Sequence, residues 1–578
     1  MTDRLRERTL TELVRASDAV ASVLPDPARI VLLLTDYESG TERPLVERFP
    51  EAHVRVYVTN DPTETVAPEE CRVTVVHAQD LATRMGSEVR EQRPDVIIDL
   101  GRTRGQKVSS LRHLLYLLPE DGLFIVGSLD SGHPGVHSGE SETIIDVLRT
   151  LVALETMSIA ARERVRGVDR ALANAVKSFQ IEGGLVRLVK ARQHYVKLRD
   201  WATDGILSAR LGKDAKEDRA SVVQLRPADR FKSAEPVHSY GDGPFASGHT
   251  EFEVPELYLR RYRGAIASAR QILRMGDYVL PDSWRHPHQR NLNNRQMEYA
   301  TAWMGAFKDE TIPSERRVLE GSFYYFDTEL PGHFGHITTD VLSRVWGWRA
   351  AKRIDPTIRP LVSVSSNSPD VPGFQRTIFS ALGIDLGEAV VVGPREEVEI
   401  ETLYAGSPEL ENPHYASPAL KNVWRELSEG LPTVDAPEFG EKIFISRRPG
   451  GKRDCTNVAE VEAFFEAQGF SILFPEDYPY AVQHVFFRRA RVIAGFGGSG
   501  MFNMMFAPSA TVIMVSGSSY DAANEKLIGA VNENPLHYFW GKSELPMPEG
   551  RFSLQAFTSN FTFDVARFRG DLLRAVAE

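Results

Sequence analysis

The sequence predicts an α/β protein of several domains. Short apolar runs of strand length alternate with stretches of helical spacing over residues 1–150, and again from about 250 to the end. One of these runs ends in a glycine-rich turn that opens a helix. A length of 578 residues leaves room for about three to five domains.

Residues 1–140 read as one doubly wound domain. Arg29–Thr35, His53–Thr59, Cys71–His77, Asp95–Leu100 and Gly122–Gly127 are its strands, rich in Val, Ile and Leu. Helical spacing near Ala82–Gln92 and Val108–Leu118 falls between them, and that alternation implies a parallel sheet. The stretch Arg93-Pro-Asp-Val-Ile-Ile-Asp-Leu-Gly101, with Ser109-Ser-Leu-Arg-His-Leu-Leu115 and Pro119-Glu-Asp-Gly-Leu-Phe-Ile-Val126 after it, resembles the second half of a class I methyltransferase domain. The first strand runs into Thr35-Asp-Tyr-Glu-Ser-Gly40, not the glycine-rich turn such enzymes set against their cofactor. A structural or partner-binding domain is therefore the other reading.

Residues 141–225 read as a charged helical connector. Ile145, Leu148, Val152 and Ile159 recur at helical spacing, and Val168–Phe179 and Leu185–Leu211 continue the pattern. Its basic run, Arg187, Lys190, Arg192, Lys197 and Arg199, is either a solvated face or a contact with an anionic membrane or a lipid-linked substrate. Asp214–Ser247, polar with scattered Gly and Pro, reads as a linker.

Two further α/β halves follow, 250–430 and 431–578. Strands at Gly321–Phe326, Pro360–Ser365 and Ala389–Gly393 build the first, with helices near Gly335–Arg353 and Gly373–Leu382. Strands at Lys442–Ser446, Ser471–Phe474, Arg491–Ala494 and Thr511–Val515 build the second, with helices near Asn457–Gln468, Tyr480–Ala490 and Met501–Phe506. Two facing halves would leave a cleft, a common ligand site.

Composition narrows the function. The chain carries 68 Lys+Arg and 79 Asp+Glu, a net charge of −11, which argues against nucleic acid as the main partner. Cys71 and Cys455 are its only cysteines, too few for a disulfide framework or a cysteine-rich zinc site. The start, Met1-Thr-Asp-Arg-Leu-Arg-Glu-Arg8, has no apolar h-region, so no secretory signal is expected. No uncharged apolar run nears the roughly 18 residues of a spanning helix. A cytoplasmic protein is expected, with attachment to the inner face of the membrane left open.

Two loops carry the chemistry. In Val492-Ile-Ala-Gly-Phe-Gly-Gly-Ser-Gly-Met-Phe-Asn503, a strand runs through Gly497, Gly498 and Gly500 into a helix. Glycines let the backbone approach a ligand, and unpaired N–H groups at a helix start suit a phosphate. Ser499 and Asn503 could add hydrogen bonds. The turn is neither a P-loop nor a Gly-x-Ser-x-Gly elbow. In Ile445-Ser-Arg-Arg-Pro-Gly-Gly-Lys-Arg453, a second strand ends in Arg447, Arg448, Lys452 and Arg453. Guanidinium forks pair well with phosphate oxygens, and two such loops on one sheet edge point to a shared diphosphate site rather than to solvated loops.

Residues 441–515 resemble the C-terminal half of the family 61 glycosyltransferases. The resemblance rests on Ile445-Ser-Arg447, Arg453 with Asn457, Gly469-Phe470, Pro475-Glu476, Gln483 and Gly497-Gly-Ser-Gly-Met-Phe-Asn503, in order and spacing. Upstream, Gly332-His-Phe-Gly-His336, Asp340 and Leu342-Ser-Arg-Val-Trp346 look like the family's His-containing helix start. The resemblance covers about 320–520. Gly497 stands where the family usually has His, and Val458 follows Asn457 where an acid is common. The first departure removes an imidazole from the donor pocket.

The resemblance implies a GT-B pair of Rossmann-like domains and an inverting transfer from a nucleotide-activated sugar. It implies no metal and no other cofactor, since helix N-termini and basic side chains can take up the leaving diphosphate charge. Arg447, Arg448, Arg453, Asn457, Glu476, Gly497, Gly498, Ser499, Gly500 and Asn503 would hold the donor. A glycan or lipid-linked acceptor, in capsule, cell-wall or other surface glycan assembly, would give its proton to a base. His336 and Asp340, four apart on one helix face, are the first choice, with His333 beside them; His286 and His288 are the alternative. The rival readings are an inactive nucleotide- or glycan-binding protein and a bifunctional methyltransferase-glycosyltransferase.

Overall fold

The computed structural model describes residues 3–35, 37–38, 40–58, 73–77, 93–100, 104–127, 142–162, 164–211, 220–287 and 291–578. The class is α/β, and the chain divides into two compact units. The first holds residues 1–199, 276–279 and 288–312; the second holds 200–275, 280–287 and 313–578.

The first unit is built on a seven-stranded sheet: β1 (Arg29–Leu34), β2 (His53–Val58), β3 (Val73–His77), β4 (Val96–Asp99), β5 (Leu123–Val126), β6 (Val176–Glu182) and β7 (Leu185–Lys190). Their spatial order is β3-β2-β1-β4-β5-β7-β6. The first five are parallel, and β7 is antiparallel to both its neighbours. Continuous apolar strands are what a sheet covered on both faces requires, and β1, β4 and β5 are buried almost throughout. The expected helix near Val108–Leu118 is found as Arg104–Leu114 with a 3₁₀ turn to Leu117. The one expected at Ala82–Gln92 lies outside the described residues.

Residues 141–225 are not a helical connector. Helices Ile144–Thr156 and Gly167–Ala175 lead into the β6–β7 hairpin, and Tyr195–Lys197 is a further strand. In β7 the apolar residues Leu185, Val186 and Leu188 are all buried, and the β period wins because the hairpin completes the sheet beside β5. Two of the five residues of the basic run are withdrawn from the surface. Lys190 and Lys197 are buried, donating to the carbonyls of Leu118 and Arg192 and of Leu292, and burial pushes both ammonium groups down to about 7. The expected linker at 214–247 is also replaced, in its described part, by strands Ala220–Arg226 and Asp229–Tyr240.

In the second unit, the first half is a mixed sheet. Glu315–Tyr325 and Arg359–Ser363 run parallel, as do Arg359–Ser363 and Val390–Val392. Two long strands, Leu257–Ser268 and Glu396–Gly406, pair antiparallel at the centre. Their charged residues hide them from an apolar-run reading. Arg260 is buried, bonded to Asp200 at 2.6 Å and Asp204 at 3.2 Å. Glu397 lies between Arg274 and Arg316.

The second half carries strands Ser471–Leu473, Lys442–Ile445, Val492–Phe496, Thr511–Gly517 and Leu536–Ser543, adjacent in that order and parallel. Asp229–Tyr240 then adds in parallel to Leu536–Ser543, and Gly248–Val254 folds back on it. One face is covered by a phenylalanine-rich core: Phe444, Phe465, Phe496, Phe539, Phe561 and Phe563. Each such buried ring stabilises the sheet by about 1.5–3 kcal/mol. Another apolar core runs from Val237 through Tyr324, Trp346, Ile443 and Met501 to Trp540, shared by both halves. Among the described residues no helix is long and apolar enough to cross a membrane.

Candidate functional site

A cavity of about 780 Å³ opens in the second unit, lined by residues 334–377 of the first half and 445–500 of the second. Lys442–Ile445 and Val492–Phe496 are adjacent parallel strands. Their C-terminal ends therefore deliver the arginine loop and the glycine turn to one edge of one sheet. Ile445 through Arg448, Lys452 and Asp454 line the cavity from the first loop, and Ser499 and Gly500 from the second. The half-buried rings of Phe334, Phe374 and Tyr478 close the remaining side.

Arg447 and Arg453 meet at Gly498. A Cβ on Gly498 would stand 2.5 Å from Nη2 of Arg447 and 3.4 Å from Nη2 of Arg453, and its φ of +142° favours glycine. Neither guanidinium has an ion-pair partner among the described residues. Arg447 donates to the Lys452 carbonyl at 3.4 Å. Burial and the neighbouring Arg453 push the Arg447 guanidinium down from its usual value, against the opposing pull of Tyr520, Glu525 and Asp454. Arg453 adopts φ +62°, a conformation that costs about 1–3 kcal/mol outside glycine. Its guanidinium carbon lies 4.9 Å from the Tyr520 ring and 5.0 Å from that of Phe557, contacts that favour a cation over an aromatic face. Its Nε is buried without a partner. Two like charges held side by side in this way suit a polyanionic ligand.

Replacing Gly498 by alanine tests this convergence. The new methyl must displace the Arg447 fork, so Gly498→Ala should weaken nucleoside-diphosphate binding about tenfold or more, the loss of one charged hydrogen bond. Calorimetry reads the affinity, and a wild-type value in a folded variant would separate Arg447 from the turn.

Not every residue expected at the donor site reaches the cavity. Arg447, Arg448, Glu476, Ser499 and Gly500 line it, although Arg448 is also paired to Asp477 at 2.5 Å. Gly497 and Gly498 do not offer free N–H groups, since the first donates to the Val515 carbonyl and the second to Oε1 of Glu525. Asn503 is fully buried and donates to Gln483, which in turn holds the Pro475 and Tyr478 carbonyls. Asn457 bridges Glu460 and the Phe563 backbone. Both asparagines shape the loops rather than face the cavity. The empty place of the family imidazole is not a void. A Cβ on Gly497 would meet Ser516 Oγ at 2.1 Å and Tyr520 Cε1 at 3.0 Å.

The histidines lie beside the same turn. Phe334–His336 begins a helical run that widens into a π turn over Ile337–Val341, and such turns recur at functional sites. A Cβ on Gly335 would be 3.0 Å from Ser499 Cβ, so this helix start packs on the glycine turn. Nδ1 of His336 lies 2.6 Å from Oδ2 of Asp340, and Arg285 Nε reaches the same oxygen at 3.1 Å. A carboxylate can only accept, so Nδ1 is the donor, and in the neutral ring the lone pair is then on Nε2. Burial alone would push the Asp340 carboxyl up, but Arg285 and His336 outweigh it and hold it far below the usual range. His333 stands with its ring 5.0 Å from that of His336. Burial, then His336 and Arg285, push His333 down to about 4. His286 is likewise pushed to about 4, by burial and Arg285; His288 lies outside the described residues. Arg285, Tyr520 and Glu525 belong to no motif, and only proximity in the fold reveals them.

Residues 334–514 match the family model Glycosyltransferase 61. No curated protein matches the chain. Solved structures similar to it include the MycE methyltransferase from the mycinamycin biosynthetic pathway in complex with Mg, SAH and mycinamycin VI. The identity is 13%, over 31% of this chain and 49% of that one, at a TM-score of 0.25. A second crystal form of MycE with Mg and SAH matches at 13% identity, over 35% and 55%, with a TM-score of 0.26. The chain spans about half the length of these solved chains.

Proposed function

We propose that this chain, a glycosyltransferase by its residues 334–514, moves a sugar from a nucleoside-diphosphate donor to a glycan or lipid-linked hydroxyl with inversion at the anomeric carbon. The observation that carries the donor class is the unpaired couple Arg447 and Arg453 converging on Gly498. A diphosphate leaving group brings the negative charge that such a couple lacks. In a single displacement the acceptor hydroxyl attacks from the face opposite the leaving group, and one base removes its proton. His336, with Nδ1 fixed by Asp340 and packed beside Ser499 through Gly335, supplies that base. The two sheets of the unit, with the cavity drawn from both, suit a GT-B arrangement. We place the reaction in surface glycan assembly by family analogy, on the cytoplasmic side.

The donor reading is tested by thermal shift against UDP-, GDP-, CDP- and TDP-sugars, because a ligand of the folded state raises its melting temperature by mass action. No shift with any of them would refute it. Transfer should also survive excess EDTA, since on this reading the two guanidinium groups take up the leaving charge. Activity lost in EDTA and restored by Mg²⁺ or Mn²⁺ would assign that charge to a metal instead.

A further inference from the structure

We infer that Glu525 and Tyr520, outside the matched region, are positioning residues that set the geometry of the diphosphate site; the inference rests on the donor reading above. Glu525 is fully buried at the start of helix Asn524–Asn532. Its Oε1 accepts two hydrogen bonds, from the Gly498 N–H at 2.8 Å and from the Tyr520 hydroxyl at 2.8 Å. The first bond holds the peptide at which Arg447 and Arg453 converge. The second fixes the ring on which Arg453 rests, itself stacked on Phe557 with centroids 5.5 Å apart. One oxygen atom thus ties the glycine turn to the shelf beneath an arginine.

Three further observations support the assignment. Tyr520 and Ser516 fill the space a side chain at 497 would need. Glu525 Oε2 has no partner among the described residues, a costly arrangement in a buried carboxyl that packing alone does not call for. Both bonds use Glu525 Oε1 as an acceptor, and a glutamine offers the same oxygen.

The test measures inorganic pyrophosphate binding to the full chain by calorimetry, with thermal melting as the check on folding. Glu525→Gln keeps both bonds and should stay within about threefold of wild type. Glu525→Asp keeps the carboxyl but withdraws it by one methylene, and should weaken binding about tenfold or more, as should Glu525→Ala, at the cost of a hydrogen bond to a charged site. Tyr520→Leu, which removes the shelf, should do the same, while Tyr520→Phe should lie between. Rescue by glutamine but not aspartate separates positioning from charge. Wild-type affinity in Glu525→Asp, or a larger loss in Glu525→Gln than in Glu525→Asp, would overturn the assignment. Failure of the wild-type chain to bind pyrophosphate would instead remove the diphosphate site and the donor reading with it.

Discussion

Replacing His336 by alanine should lower turnover about 10²–10⁴-fold, the usual contribution of a positioned base, while donor affinity stays near wild type. The separation is expected because, on the proposed reading, the imidazole acts on the acceptor hydroxyl, whereas the diphosphate contacts come from Arg447 and Arg453 in the other half. Asp340→Asn should reproduce most of the loss. An amide can donate to Nδ1 and so favour the tautomer whose Nε2 bears the proton, which cannot accept another. Measuring kcat and donor Kd for both variants decides the matter. Turnover of His336→Ala within about threefold of wild type would move the role to His333, whose ring lies 5.0 Å away and which, pushed down to about 4, is neutral at pH 7.

Arg447→Ala should weaken nucleoside-diphosphate binding by about 1.5–3 kcal/mol, the range for a hydrogen bond to a charged group, or roughly tenfold to a hundredfold. Arg447→Lys should recover only part of this, because an ammonium lacks the planar fork. The structure sharpens the expectation in one respect. Arg453 stays behind on the Tyr520 and Phe557 rings, so some affinity persists and falls further in the double variant. Unchanged binding in a folded Arg447→Ala chain would exclude this guanidinium from the site.

The strands that were legible in the sequence are those buried on both faces. Val492–Phe496 is apolar end to end, Thr511–Gly517 is apolar from Val512 to Val515, and both are buried throughout, so composition alone marks them. Leu257–Ser268 and Glu396–Gly406 escaped because their polar residues are paired, Arg260 with Asp200 of a helix and Arg317 with Glu396 across the sheet, and pairing leaves no trace in a hydropathy pattern. The same division runs through the site. Arg447, Ser499 and Gly500 were legible because they sit on strand ends, where the backbone dictates which edge they reach. Asn457 and Asn503 bond to Glu460 and Gln483 instead of lining the cavity, because a motif gives a residue's place but not the direction of its side chain. Tyr520 and Glu525 could not be found at all, since they meet Gly498 only through the packing of helix Asn524–Asn532 against the turn.

The strand Asp229–Tyr240 sets the order in which the protein can assemble. It pairs with Leu536–Ser543, Val237 opposite Leu536, a partner about 300 residues further along the chain. Contacts of such separation slow folding, because loop closure precedes any gain from pairing. During synthesis, at about 5–20 residues per second, the hairpin of 229–254 waits roughly 15–60 s for its neighbour to leave the ribosome. Until then its polar backbone edge and apolar Val237, Phe252 and Val254 have no native cover on that side. The span 334–514 that carries the family signature holds only part of that sheet. A nascent chain ending there still lacks Leu536–Ser543, the strand that joins the ligand-bearing sheet to its early-made edge.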